Sequence, residues 1–403
     1  MSREPLPRPA ASAPNPLAAA LPFALLALAF CAEVWGRASA VSSPARLEEE
    51  LWIGQPGLQP MYDQPPFRYR VLFRVIVDAV TAALGGGEQG FAHGGPVFWQ
   101  VFLLASAVAW LLALAGVRAL LRTVGLRGWQ TAVGAIAFVA AFPVIHAYGF
   151  PTHTREDPLA YACMTWGLVF WLRGALVPFV LTAMVGVATR ETLLTLAIVH
   201  VVSGPAPQRW GRLLHIAPIV LVAIAVRLGM GWERHSLASS LDNLQSWKET
   251  VLCLALAFGC LWPHALQALN ARAPAAEPLL RRLQDTWRIV LPLTLLSVLV
   301  GGIMREMRLM FLIAPWALVF ATRGAVLGRT ERQCRSAVLV GAGALVAALV
   351  VPWWRSDAAW AGGDGAGAVY GRPSWLLLAA WHGAAVAWAC WPRRRAGGTT
   401  LVE

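Results

Sequence analysis

Apolar runs recur from one end of the chain to the other, and short loops that carry arginine separate them. A helix that crosses a bilayer needs about 20 apolar residues, with a usual range of about 17–25. The runs are Leu17–Trp35, Val97–Leu121, Trp129–Tyr148, Pro158–Leu172, Ala175–Ala188, Thr192–Val202, Leu213–Met230, Glu249–Ala268, Trp287–Met304, Leu309–Thr322, Ser336–Val351 and Ser374–Trp391. Several have only 11 to 16 residues, so the number of spans between residues 158 and 202 stays open. The pattern predicts an all-α, polytopic membrane protein with about 11–12 transmembrane helices in one multi-span domain over residues 1–403.

The composition excludes an ordinary soluble protein. Charged residues make up 13% of the chain and hydrophobic residues 58%, whereas soluble domains carry about 25% charged residues. The net charge of +12 would suggest nucleic-acid binding in a soluble protein. Here the basic residues lie in loops between apolar runs, where they set membrane orientation. We therefore expect no nucleic-acid partner.

The distribution of charge predicts the orientation in the membrane. If the N-terminus is inside and each run crosses once, 19 of the 33 Lys and Arg residues and five of the 21 Asp and Glu residues fall inside, which leaves 14 and 16 outside. Cytoplasmic loops carry an excess of Lys and Arg. The count predicts that both termini are cytoplasmic, and we expect a multi-pass protein of the bacterial inner (plasma) membrane.

Two of the short runs predict a helical hairpin. Pro158–Leu172 and Ala175–Ala188 are separated by only a few residues at Arg173, so the chain must reverse direction there. A 15-residue helix is about 22 Å long, which is less than the roughly 30 Å apolar core of a bilayer. The hairpin is expected to bring Asp157 and Arg190 close together at its outer end.

The first outer loop, residues 36–96, contains a segment that predicts an amphipathic helix. Within Phe67–Leu84, four polar residues follow each other at spacings of four, four and three, which places them on one helical stripe. They are Arg70, Arg74, Asp78 and Thr81. We interpret the segment as an interfacial helix over residues 67–84 that lies on the outer membrane surface. The alternative is a spanning helix, which would bury the stripe.

Four clusters of ionisable residues fall on the predicted outer side. They are Glu48–Glu50 with Tyr62-Asp63, then Arg155-Glu156-Asp157, then Arg190-Glu191, and then Arg305-Glu306-Met307-Arg308. Each has a structural interpretation: Asp157 as an N-cap before Pro158, Glu191 as a first-turn acid with Thr189 as the cap, and the last arginines extended to the membrane interface. Ionisable residues at membrane depth usually face a cavity or pair with one another. Because helix capping does not require all four clusters on one side, the pattern predicts a shared polar site there.

The first outer loop resembles that of the GT-C-type membrane glycosyltransferases, in particular the protein-mannosyltransferase and aminoarabinose-transferase branch. The resemblance is carried by an acidic pair followed by an aromatic residue, Glu49-Glu50-Leu51-Trp52, and by Tyr62-Asp63-Gln64-Pro65-Pro66 before the amphipathic helix. It covers residues 48–84, and the rest of the chain is similar only in layout. This chain has Glu-Glu where the family has Asp-Glu, and Gln64 where the family has His.

The resemblance implies an enzyme that transfers a sugar from a polyprenyl-phosphate donor to an acceptor on the extracytoplasmic face. A carboxylate takes the acceptor proton in such a reaction, and arginine pairs phosphate oxygens bidentately. The candidate catalytic residues are Asp63, Glu49 and Asp157. The candidate substrate-binding residues are Arg68, Arg70, Arg155, Glu156, Arg190, Glu191, Arg305, Glu306 and Arg308.

The expected partners are a lipid-linked sugar donor and membrane lipid. The sequence has no GxxxxGK[ST] motif and no HxxxH or HExxH spacing, so we expect no nucleotide cofactor and no transition-metal site. A divalent cation stays possible, since carboxylate sites for such ions need no fixed spacing. Two alternatives stay open: a transporter or lipid flippase, which would be expected to show internal repeats that we do not find, and a non-catalytic membrane subunit.

Overall fold

A computed structural model describes residues 16–40, 70–85, 96–141, 143–144, 147, 156–203, 209–230, 244–245, 247–270, 273–301 and 307–354. The described residues are helical with short connections and contain no β-strand, which confirms the predicted all-α class for this part of the chain. Three of the helices are long and apolar enough to cross a membrane, namely Val97–Thr123, Trp210–Met230 and Pro278–Val300. Shorter apolar helices accompany them.

The α-helices are α1 (Pro16–Ala40), α2 (Val71–Ala83), α3 (Pro96–Thr123), α4 (Gly128–Val139), α5 (Asp157–Leu172), α6 (Leu176–Thr189), α7 (Leu194–Val202), α8 (Arg209–Met230), α9 (Trp247–Phe258), α10 (Trp262–Asn270), α11 (Pro278–Gly301), α12 (Ala314–Val326) and α13 (Glu331–Trp354). Short 3-10 segments at Glu191–Leu193, Gly259–Leu261 and Met307–Leu312 lead into α7, α10 and α12.

Two apolar runs are interrupted where the sequence analysis predicted continuous helices. The run Glu249–Ala268 divides into α9 and α10 at Gly259, whose φ of 44° lies in the left-handed region that favours glycine. The helix predicted for the run Trp129–Tyr148 is also interrupted, since α4 stops at Val139. Pro143 has no N–H to donate to the Val139 carbonyl, and its ring would clash with that carbonyl in a continued helix.

The centre of the fold is a closely packed pair formed by α3 and α5, against which α4 and α6 also pack. Gly116 in α3 faces Thr165 in α5, and a Cβ atom at Gly116 would lie 2.9 Å from the Thr165 Cβ and closer still to its hydroxyl oxygen. Thr165 is fixed in turn, since its hydroxyl donates to the Tyr161 carbonyl at 2.9 Å. Small residues at a helix crossing let two backbones approach in this way.

We expect Gly116→Leu to lower the free energy of unfolding by about 1–3 kcal/mol, since extra side-chain volume in a packed interior forces neighbours apart. The matched control is Gly343→Ala in α13, where an added Cβ meets no atom within 4 Å. The control should be neutral or stabilising by up to about 1 kcal/mol because alanine favours the helix. Thermal unfolding of both purified variants measures the difference, and an equal effect of the two would contradict close packing at Gly116.

Helix α2 buries a different face from the one that an interfacial helix would bury. Arg70, which precedes its first turn, and Thr81 are both buried, whereas Val75, Ile76 and Val80 are exposed. The helix packs on α3 and α6. The interpretation of the polar stripe as a solvent-facing surface is therefore wrong at both ends of the helix, because these polar residues face the protein.

The apolar contacts of α2 form a small core of their own. Phe73 meets Phe102 edge-to-face, with ring centroids 5.8 Å apart, and Val77 is fully buried beside them. Such aromatic pairs add about 0.5–1.5 kcal/mol to the effect of burial alone. This packing fixes the start of α2, and with it Arg70, against the start of α5.

The helical hairpin predicted between residues 158 and 188 is confirmed, with ends shifted by one residue. Helix α5 ends at Leu172 and α6 begins at Leu176. The reversal uses Gly174 at φ 72°, a backbone conformation that residues with a Cβ adopt at a cost. The two helices pack along each other, so the start of α5 and the end of α6 lie side by side.

Candidate functional site

The outer end of the hairpin carries a buried ion pair. The Arg190 guanidinium donates to the Asp157 carboxylate, and the two residues are 1% and 0% exposed. The predicted proximity of these residues is thereby confirmed. A buried charge without a partner costs several kcal/mol, so each of these side chains requires the other.

Neither of the two capping interpretations holds. Asp157 is the first residue of α5 rather than its N-cap, a position that Glu156 occupies, and no side-chain capping bond is formed. Thr189 does not cap the next helix either, since its hydroxyl donates to the Val185 carbonyl at 2.8 Å. Glu191 does lie in the first turn of its segment, as predicted. The Asp157 carboxylate is thus used for tertiary contact, not for helix capping.

A second buried pair joins α2 to the same end of α5. The Arg70 guanidinium donates to the Glu156 carboxylate, which is fully buried. Glu156 and Asp157 are consecutive, so one short segment presents carboxylates to two different elements. The pair attaches the beginning of the amphipathic helix to the hairpin.

A third pair extends the cluster towards the surface. The Arg227 guanidinium donates to the Glu191 carboxylate at 2.5 Å, and both side chains are partly exposed. Arg227 lies in the last turn of α8 and was not among the sequence candidates. The sequence did contain an indication that Arg227 matters, since a single charge within a long apolar run usually marks a functional or paired residue.

Aromatic rings line one side of the buried pair. The Arg190 guanidinium lies 4.6 Å from the centre of the Phe311 ring. The Tyr161 ring contacts Phe311 at 5.6 Å, Trp110 at 5.4 Å and Phe138 at 5.5 Å between centroids. The Phe311 ring thus gives the guanidinium a cation–π contact.

Two polar groups in this aromatic region have no hydrogen-bond partner within the described residues. They are the Tyr161 hydroxyl and the Arg190 Nε, both buried. Buried polar groups in native proteins are nearly always satisfied by protein or ordered water. The Tyr161 hydroxyl and the Arg190 Nε can therefore form hydrogen bonds with water or with a ligand group.

Several candidates lie outside the described residues. Glu49, Asp63, Arg68, Arg155, Arg305 and Glu306 belong to this set, and so does the side chain of Arg308. Arg155 directly precedes Glu156, and Arg308 is three residues before Phe311, a separation that spans at most about 11 Å. Parts of the second and fourth predicted clusters are therefore adjacent in sequence to described residues of this region.

We call the three pairs Arg70–Glu156, Asp157–Arg190 and Glu191–Arg227 the ion-pair cluster. Four separate parts of the chain supply it: the start of α2, the start of α5, the segment after α6, and the end of α8. Within the described residues, no group of three or more His, Cys, Asp or Glu side chains is arranged to hold a metal ion. The cluster offers carboxylates as proton acceptors next to guanidiniums that can pair an anion.

The fold and the cluster together define an all-α protein that has helices of membrane-spanning length and a partly buried acid–arginine site at one end of its helices. The chain matches no protein-family model, no curated protein and no solved structure.

Proposed function

We propose that this chain is a polytopic membrane glycosyltransferase that transfers a sugar from a polyprenyl-phosphate donor to an acceptor hydroxyl on the extracytoplasmic face. The observation that carries the proposal is the convergence of three carboxylate–guanidinium pairs at one end of the helices. Those residues all fall on the side that the charge distribution predicts to be outside. The resemblance of residues 48–84 to GT-C-type enzymes adds support from the sequence.

Polar contacts at the other end of the helices support the proposed two-sided arrangement. Arg323 donates to Glu277, and Arg173 donates to the Thr123 hydroxyl at 3.3 Å. All four residues fall on the predicted cytoplasmic side. A protein that crosses a membrane separates its polar groups to two ends in this manner, because the bilayer core accepts few of them.

Helix α8 supports membrane insertion through its exposed face. Leu214, Leu221 and Leu228 are each more than half exposed and follow one another at seven-residue intervals, which places them on one side of the helix. A stripe of exposed leucines is costly in water and favourable in lipid. The proposed neighbour of this face is the lipid hydrocarbon.

In the proposed reaction, the acceptor hydroxyl oxygen forms a bond to the anomeric carbon, and the bond from that carbon to the donor phosphate oxygen breaks. The hydroxyl proton passes to a carboxylate, and the bonding electron pair leaves with the polyprenyl phosphate. Guanidinium groups stabilise that departing phosphate because they pair two of its oxygens. Arg227 is suited to this role, since its side chain is accessible while it stays next to Glu191.

A second candidate function is transport of a lipid-linked substrate. The 3-10 segments Glu191–Leu193 and Met307–Leu312 interrupt the helical path beside the ion-pair cluster. Interrupted helices line substrate pathways in many transporters. A transporter would move the donor lipid across a bilayer and yield no glycosylated product, which distinguishes the two functions.

The test uses full-length protein and a panel of short-chain polyprenyl-phosphate sugars. We expect Arg227→Gln to weaken donor binding about 10-fold, the typical effect of losing one hydrogen bond to a charged group. Arg288→Gln is the matched control, because Arg288 also forms an ion pair near the surface, with Asp285 at 3.4 Å, but at the other end of the helices. Equal effects of the two variants, or wild-type protein that releases no polyprenyl phosphate from any donor, would contradict the proposal.

A further inference from the structure

The end of the helices opposite the ion-pair cluster gathers basic side chains from three helices. Arg212 and His215 lie in the first turns of α8, His200 in the last turn of α7, and Arg282 near the start of α11. The His200 Nε2 and His215 Nδ1 atoms are 3.3 Å apart. We call these four residues the basic cleft.

Contacts with neighbouring groups hold both arginines of the cleft in place. Arg212 donates to the His200 carbonyl at 2.8 Å and to the Ser203 hydroxyl at 3.0 Å. The Arg282 guanidinium lies over the Trp171 ring, 4.3 Å from its centre. Arginines that only set membrane orientation need no such fixed geometry, whereas a binding site does.

The positive charge of the cleft has no acidic partner within the described part of the chain. The charges of Arg212 and Arg282 act on each other and on His200. The acids nearest to Arg282 in the sequence are engaged elsewhere, Glu277 with Arg323 and Asp285 with Arg288. The intervening residues 204–208 and 271–272 contain no Asp or Glu. This contrasts with the ion-pair cluster, where each guanidinium has a carboxylate.

His200 is the buried member of the basic cleft, and the other three residues reach the surface. His200 is 8% exposed, and its Nδ1 has no hydrogen-bond partner among the described residues. Arg212 and Arg282 are half-buried, and His215 is exposed. The first turns of α8 and α11 add the positive ends of two helix dipoles. A ligand that enters the cleft would thus meet fixed donors and positive potential.

We propose that the basic cleft binds a phosphate group. Guanidinium groups pair phosphate oxygens in a bidentate manner, and an imidazole N–H supplies a further donor. The phosphate can belong to the head group of an acidic phospholipid or to a soluble anion, and the chemistry of recognition is the same. Trp171 and Asp157 are 14 residues apart on α5, so this site lies about 20 Å from the ion-pair cluster. It is separate from the proposed donor site.

The test measures binding of two probes to the full-length protein in neutral detergent: short-chain phosphatidylglycerol and inorganic phosphate. Arg282→Gln should weaken binding about 10-fold, because a hydrogen-bonded charge is lost. Arg281→Gln is the matched control, since Arg281 is the adjacent residue, is exposed and carries the same charge. It should change the affinity less than about two-fold, as expected for an exposed charge. Arg282→Lys, which keeps the charge and loses the planar fork, should bind with intermediate affinity.

The outcomes separate the two sources of phosphate. Binding of phosphatidylglycerol that inorganic phosphate does not displace supports a lipid head group, and displacement by inorganic phosphate supports a soluble ligand. Equal losses in Arg281→Gln and Arg282→Gln would show diffuse surface attraction and overturn the proposal. Failure of wild-type protein to bind either probe saturably would overturn it as well. If Arg282→Gln proves unstable, Arg282→Lys supplies the same comparison with the charge retained.

Discussion

Arg190→Met is expected to lower the free energy of unfolding by about 3–5 kcal/mol, the typical cost of removing one partner from a buried ion pair. The Asp157 carboxylate would be left fully buried without its guanidinium. The Phe311 ring would also lose the cation that packs against it at 4.6 Å. Thermal or denaturant unfolding of the purified variant, followed by tryptophan fluorescence, measures the change.

A surface pair provides the matched control for this prediction. Arg74 and Asp78 are 3.7 Å apart on α2 and both are partly exposed, so Arg74→Met should cost no more than about 1 kcal/mol. The double variant Asp157→Leu with Arg190→Met removes both buried charges and should recover much of the lost stability, because apolar replacements of a buried pair are often neutral. A double variant as unstable as Arg190→Met alone would show that the loss of this ion pair is not the cause.

The sequence predicted the bounds of two uninterrupted helices closely. Pro158–Leu172 corresponds to Asp157–Leu172 in the structure, and Val97–Leu121 corresponds to Pro96–Thr123. Apolar length alone could not find the breaks at Gly259 and before Pro143. Those breaks depend on backbone conformation and on a missing N–H donor, which hydrophobicity does not report.

The location of the site was predictable to a lesser degree. The hairpin placed Asp157 next to Arg190, because two short runs with a tight turn allow only one arrangement of their ends. The partners of Arg70 and Glu191 were not predictable, since they depend on which helices pack together. Arg227 illustrates this point: it is 36 residues from Glu191 in sequence, and only the packing of α8 on α6 and α7 brings the two together.

The orientation of α2 could not be derived from its periodicity. A stripe of polar residues on a helix can face water, or it can face polar partners inside a membrane protein, and the sequence pattern is the same. The structure buries Arg70 because Glu156 is available to pair with it. The apolar residues of α2 that remain exposed, such as Val75 and Ile76, are consistent with a lipid neighbour.

The connection between the first outer loop and the ion-pair cluster gives the second large prediction. Asp63 is seven residues before Arg70, and even a fully extended chain of that length spans at most about 25 Å. Arg70 in turn is paired with Glu156 of the ion-pair cluster. Asp63 is followed by Gln64-Pro65-Pro66, where two prolines restrict the backbone. We therefore expect Asp63 to act as the general base of the proposed transfer.

Asp63→Asn and Arg305→Ala are expected to impair the proposed activity in different ways. Loss of a general base lowers turnover by about 10²–10⁴ and should leave the dissociation constant of the polyprenyl-phosphate donor nearly unchanged. Loss of Arg305 should mainly weaken donor binding, by about 10-fold, because it removes a charge-assisted contact with phosphate. Turnover at saturating donor and equilibrium donor binding distinguish the two effects.

Asp78→Asn serves as the control, because Asp78 belongs to the same predicted loop and its pair with Arg74, at 3.7 Å, lies on a partly exposed face of α2. It should retain turnover within about two-fold, since exposed pairs contribute little. A folded Asp63→Asn protein with full turnover would remove Asp63 from the mechanism. Glu49 would then be the next residue to test, since it is the other acidic candidate in the same loop, and its Gln variant should show the loss of turnover that Asp63→Asn did not.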